Sequence, residues 1–197
     1  MEKVNEGRLR SLLSHWEYGR SDTELVAMGK PALERILDAT DGHGSLDEPG
    51  VDWRSYEDAR QAAVAAFAAA DMDVVLAAMK RRNWDDVTVA LSGVARIPDE
   101  RVVATLKRAY QNREAFTRQR IVTLLGLQRG TAAVDALVAA LSDRSSDVRL
   151  AAIEAIGETR DPRAIAPLEA LARRSGRSPF QARRIQEVVA KIRADHR

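Results

Sequence analysis

The sequence predicts an all-α solenoid of about five helix pairs, and three observations carry the prediction. Apolar residues recur at helical spacing, the pattern repeats at one fixed step along the chain, and alanine is abundant while aromatics make up only 5% of residues, which suits close helix packing. Residues 143–174 show the unit most clearly. Val148, Ala152, Ile153, Ala155 and Ile156 form one apolar stripe, and Ile165, Leu168, Leu171 and Ala172 form a second. A polar turn at Ser145-Ser146-Asp147 opens the first helix, Gly157 is expected to end it, and Asp161-Pro162 restarts the chain. Neither helix can bury its stripe alone, so the unit has to be repeated.

A step of 31 residues superimposes one unit on the next. Gly157 falls on Gly126, Ile156 on Leu125, Ile153 on Val122 and Arg149 on Arg118, while Leu168 falls on Leu137 and Ile165 on Val134. A second step takes Leu137 to Leu106, Val134 to Val103, Val122 to Leu91 and Leu125 to Val94. Asp99 then occupies the turn place that Asp161 holds. A period of roughly 20–50 residues marks a stack of units with a continuous core, each unit touching mainly its neighbours.

The run Asp147-Val148-Arg149, Ala151-Ala152, Ala155-Ile156-Gly157 and Asp161-Pro162-Arg163-Ala164-Ile165 resembles the short HEAT-like repeat of the phycobilisome-lyase type, over about residues 85–175. The resemblance implies a right-handed superhelix, and it implies that a turn Asp and the Arg opening the next helix bond across the repeat. Asp143 and Arg149 stand in those places, and Asn112 and Arg118 one unit earlier. It does not imply lyase chemistry, because proteins with this repeat are mostly binding scaffolds.

Taken in order, residues 1–54 read as a degenerate N-terminal cap, 55–174 as helical repeats and 175–197 as a C-terminal capping helix, all within one domain spanning 1–197. Residues 3–18 form a helix with Val4, Leu9, Leu12, Leu13 and Trp16 inward, ended by Gly19. Ser21 or Asp22 caps the next helix, which carries Leu25, Val26 and Met28 inward and breaks at Gly29-Lys30-Pro31 because proline cannot donate to the helix ladder. A short helix follows over 32–37. Residues 40–54 hold three glycines and a proline and make an irregular surface loop. Its carboxylates and His43 match no calcium-loop spacing, and Trp53 anchors its end by packing.

Residues 55–70 make an alanine-rich helix with Ala59, Ala62, Ala63, Ala66 and Phe67 on one face. Residues 71–82 are its partner, with Met72, Val75, Leu76 and Met79 inward, and residues 83–86 make the turn before the regular repeats. The last helix, 180–194, buries Ile185, Val188, Val189 and Ile192 at a step nearer 32 or 33, and its other face carries Arg183, Arg184, Lys191, Arg193 and Arg197.

No cysteine is present, so no disulfide framework or thiolate metal site exists. No apolar run reaches the roughly 18 residues that span a membrane, and the first residues lack the apolar core of a secretory signal, so a cytoplasmic setting is expected. Net charge is +2, but residues 1–100 carry 12 Lys+Arg against 19 Asp+Glu and residues 101–197 carry 19 against 10. Residues 126–130 lack the Lys-Ser/Thr of a phosphate loop, and no nucleophile elbow or zinc-ligand pair occurs. Glu154 and Glu158 share a helix face, more as a solvated pair than as an acid and base. The sequence therefore predicts no enzyme, no cofactor and no metal.

Stacking instead aligns a grid on every second helix: Thr88, Ser92 and Arg96; Gln119, Thr123 and Leu127; Leu150, Glu154 and Glu158; Arg183, Glu187 and Lys191. In HEAT-like proteins the concave side commonly grips a partner. Mixed charge with Leu127 and Leu150 among it favours another protein over a phosphate backbone, which calls for Arg and Lys throughout. The expected function is a scaffold or adaptor bound to another protein through this face, with Arg96, Gln119, Thr123, Leu127, Leu150, Glu154, Glu158, Arg183 and Glu187 as contacts. Two alternatives follow from the resemblance. One is nucleic-acid binding, in the manner of the HEAT-like bacterial DNA glycosylases, with the basic half tracking phosphates. The other is a bilin lyase-like protein, disfavoured by the absence of cysteine and the presence of only three histidines.

Overall fold

A computed structural model of the chain describes residues 5–14, 20–38, 53–79, 91–174 and 179–196. Every regular element among them is helical, and they fall into two compact units, Met1–Val94 and Ala95–Arg197. The loop at 40–52, the turn at 83–86, Val4, Trp16 and the side chains of Trp53 and Arg197 lie outside what is described.

In the first unit α1 (Glu6–Ser14), α2 (Arg20–Ala27), α3 (Gly29–Asp38) and α5 (Met72–Met79) all pack on the long α4 (Trp53–Ala70). Leu9, Leu12, Leu13, Leu25, Leu33, Ile36 and Leu37 meet Ala63, Val64 and Phe67 in one core. The expected break before Pro31 is present: Gly29 takes a φ of +72°, a conformation that costs glycine little, and α3 starts there with Pro31 in its first turn. Arg60 on α4 is buried and donates from Nη2 to the Ile36 carbonyl at 3.0 Å, satisfying an end-of-helix acceptor of α3. Asp71 caps α5 by accepting from the Asp73 and Val74 amides.

The second unit is the repeat stack. It runs α6 (Glu100–Ala109), α7 (Ala115–Leu125), α8 (Thr131–Ala140), α9 (Ser146–Thr159), a 3-10 turn (Pro162–Ala164), α10 (Ile165–Arg174) and α11 (Pro179–Ala194). The most extensive contacts are α7 with α9, followed by α8 with α9, α9 with α11 and α10 with α11; α6 also touches α8 on the opposite layer. Leu106, Leu137 and Leu168 are all fully buried, as the 31-residue step requires, and so are Val122 and Ile153. Each such side chain contributes about 1.5–3 kcal/mol relative to an exposed one. Ile165, Leu171 and Ala172 are only half-buried, although α11 packs on α10.

The turn chemistry repeats as well. Asp99 and Asp161 each accept from the amide two residues on, Arg101 and Arg163, and each carboxylate is also clasped by that arginine's guanidinium. The clasp holds both carboxyls below their usual range. In the intervening unit Gly130, at φ +103°, stands in the same place without a side-chain cap.

Two expectations are corrected. Gly157 does not end its helix: α9 continues to Thr159 and closes on Arg160 in the left-handed conformation. A Cβ at Gly157 would instead lie 3.3 Å from both Val188 methyls, tighter than an ordinary contact. The Asp143–Arg149 link also differs. Arg149 donates to the Asp143 and Arg144 carbonyls, as Arg118 does to those of Asn112 and Arg113, so the repeated bond is to backbone. The Asp143 carboxylate pairs instead with Arg118, one unit back.

Candidate functional site

Helices α7, α9 and α11 form one layer, and they run parallel. Arg144 bonds the Arg113 carbonyl at their starts, while Gly126 faces Ala155 further along. Between α9 and α11, Glu154 meets Arg184, Gly157 meets Val188, and Glu158 meets Lys191, again in ascending order. Small residues set the spacing. A Cβ on Gly126 would lie 2.8 Å from that of Ala155, so only glycine lets α7 approach α9 this closely.

Asp143 fixes the alignment from below. Arg118 grips it at two points, Nε to Oδ2 and Nη2 to Oδ1, both at 2.8 Å, and the Ser145 amide adds a bond to Oδ1. The Tyr110 hydroxyl donates to Oδ2. The side chains of Arg118 and Asp143 are only 6% and 5% exposed. Hydrogen bonding from Arg118 holds the Asp143 carboxyl far below the usual range, and burial, with the hydrogen bond to Asp143 second, pushes the Tyr110 hydroxyl well up. The cluster ties α6, α7 and the turn before α9 together. Gln128 adds a second tie: it is buried and donates from Nε2 to the Ala95 and Ile97 carbonyls, while its Oε1 accepts from the Asp99 amide at 3.4 Å.

On the open side of the layer lies a groove of about 510 Å³. Thr123 and Leu127 line it from α7 and its end, Glu154 and Glu158 from α9, and Glu187 and Lys191 from α11, so six residues of the predicted grid face one space. Leu150 and Gln119 are half-buried on the same layer, Arg183 and Arg96 are exposed, and none of these four lines the groove. Ser92 falls in the first unit and Thr88 outside the described residues. Arg184 lines it too, and Gly126, Ala151, Ala155, Gly157 and Val188 make the remainder of the lining. Arg184 lies 3.5 Å from Glu154 and 3.1 Å from Glu187, Arg183 lies 3.2 Å from Glu187, and Lys191 lies 3.0 Å from Glu158. The guanidinium of Arg184, with that of Arg183 second, lowers the Glu187 carboxyl.

Glu154 and Glu158 are thus ion-paired to α11 and open to solvent. Among the described residues no three His, Asp or Glu side chains converge as metal ligands would, and no helix is long and apolar enough to cross a membrane. Sequence reasoning missed Gln128 and the packing role of the two glycines. The 31-residue step pointed to Gly126 and Gly157 as equivalent, but a repeat cannot show whether a glycine serves backbone angle or close approach. Residues 113–187 match the family model described as HEAT repeats. No curated protein matches the chain.

Proposed function

Because this chain is a HEAT-like repeat protein, a class that serves broadly in protein interaction, we propose that it is a non-enzymatic scaffold or adaptor of the cytoplasm that binds another protein through the face made by α7, α9 and α11. The observation that carries the reading is the single groove to which three stacked helices contribute Thr123, Leu127, Glu154, Glu158 and Glu187. Arg96, Gln119, Leu150 and Arg183 extend the contact surface around it. A face of this kind suits an interface of roughly 800 Å² per partner. Each of Arg183, Arg184 and Lys191 is paired with a carboxylate, which supports recognition of protein over a phosphate backbone.

Alanine at Arg96, Thr123 and Glu154 together tests the reading. The triple variant loses the partner in a pull-down and keeps its helical circular dichroism. Partner recovery undiminished by the triple change means that the face is wrongly assigned. The reading also takes residues 1–197 as one domain, which a single calorimetric unfolding transition supports and two resolved transitions overturn.

A further inference from the structure

Three large apolar side chains are exposed among the described residues: Phe116 at 69%, Phe180 at 67% and Leu127 at 40%. Scattered single exposures need no explanation, but these three share one face. On α7, Phe116 stands seven residues before Thr123 and eleven before Leu127, which is helical same-face spacing. On α11, Phe180 stands seven before Glu187 and eleven before Lys191. Thr123, Leu127, Glu187 and Lys191 line the groove, so both phenylalanines continue its walls toward the helix starts. Because the helices are parallel, the two rings project from the same end of the face. One helix, α9, lies between them. Two interhelical spacings of about 8–10 Å put their axes about 16–20 Å apart. On α9 the position in register with both rings is the exposed Asp147, and half-buried Leu150 lies one turn further on. The other end is of different character. There Glu154 and Glu158 are each more exposed than the cation they pair with, and three lining carboxylates face two lining cations.

We propose, resting on the reading of this face as the partner surface, that its occupant is an amphipathic helix lying along α9, with an apolar end seated between Phe116 and Phe180 and a Lys- or Arg-bearing end over Glu154 and Glu158. An extended peptide finds no strand edge on a helical layer whose backbone groups are already bonded internally. A helix about 10–12 Å across fits the span between the two phenylalanine walls. The distance from Asp147 to Glu158 along α9 is eleven residues, or about 16 Å, which sets the occupant at about three turns. Each carboxylate is ion-paired toward α11, is about half or more exposed, and has acceptor capacity beyond that one contact. Exposed aromatics in such a place are the side chains that most often dominate binding energy.

The test uses the full chain, immobilised, and a displayed library of random 16-residue peptides. Enriched peptides are then synthesised with a fluorophore and titrated by anisotropy. The expected winners carry apolar residues at i, i+3/i+4 and i+7 in one half and Lys or Arg in the other. Phe116→Ser with Phe180→Ser weakens them at least tenfold, and Glu154→Gln with Glu158→Gln weakens them about three- to tenfold at low salt but little at high salt. Both exposed phenylalanines can change without disturbing the core, which circular dichroism checks. Acidic or proline-rich winners, or winners indifferent to the Phe116/Phe180 pair, overturn the proposal. Winners lost on the Arg96/Thr123/Glu154 triple variant yet indifferent to the phenylalanines overturn the helix alone and leave the face standing. Winners indifferent to both sets, or no enrichment over a blank surface, overturn both.

Discussion

Replacing Asp143 by Asn removes one negative charge and changes almost nothing in volume, so it isolates the buried cluster. Arg118 holds the carboxylate through two 2.8 Å bonds, and both side chains are under a tenth exposed. Asn retains an acceptor for Arg118 Nη2 and the Ser145 amide. Its amide nitrogen then faces the Arg118 Nε–H, donor against donor, while the Tyr110 hydroxyl can turn to accept from it, and the guanidinium charge is left uncompensated. Breaking a buried pair by removing one partner costs about 3–5 kcal/mol. With residues 1–197 unfolding together, as proposed, each kcal/mol moves the midpoint by about 2–4 °C, giving a fall of about 6–20 °C.

The effect depends on pH in a fixed sense. The folded Asp143 carboxyl sits well below its unfolded value, so its contribution is complete above about pH 5 and fades as pH falls through the unfolded and then the folded value. Urea melts followed by circular dichroism therefore show the largest gap between wild type and Asp143→Asn at pH 7 and a shrinking gap toward pH 3. A loss below about 1 kcal/mol at pH 7, or a gap that is constant with pH, refutes the argument. At the alkaline end Tyr110, raised by burial and by Asp143, favours the folded state below about pH 10 and ceases to do so as pH rises above it.

Other substitutions separate packing from propensity. Gly126→Ala destabilises by about 1–3 kcal/mol, because its Cβ meets Ala155 at 2.8 Å and neither helix backbone yields cheaply. Gly157→Ala is close to neutral: the Val188 methyls at 3.3 Å give slightly, and alanine gains about 0.8–1 kcal/mol over glycine inside a helix. Both are read from urea midpoints, and equal effects would show that the two sites are not distinguished by contact distance. Gln128→Leu strands the Ala95 and Ile97 carbonyls, and denaturant melts show a loss of about 1–3 kcal/mol.

The repeat was legible because burial leaves a periodic trace. Leu106, Leu137 and Leu168 can be found from spacing alone, and all three are fully buried. The Asp–Arg bond was not legible in its true form, since the partner of Asp143 lies twenty-five residues back while a matching arginine lies six ahead. Spacing cannot say which guanidinium reaches a carboxylate and which reaches carbonyls. Helical periodicity placed Thr123, Glu154 and Glu158 on the side of α7 and α9 that lines the groove, but Gln119 and Leu150 of the same stripes do not line it. Phe116 and Phe180 escaped the periodicity because their equivalence runs through Asp147, a residue of opposite character, and through the longer step into α11.

The account stands most directly on where a bound protein touches the chain. Hydrogen-exchange mass spectrometry with and without the captured partner reads this helix by helix. Slowed exchange confined to α7, α9 and α11, strongest over residues 116–127, 147–158 and 180–191, is the expected pattern. Protection on α6, α8 and α10, or within residues 1–94 alone, would contradict it.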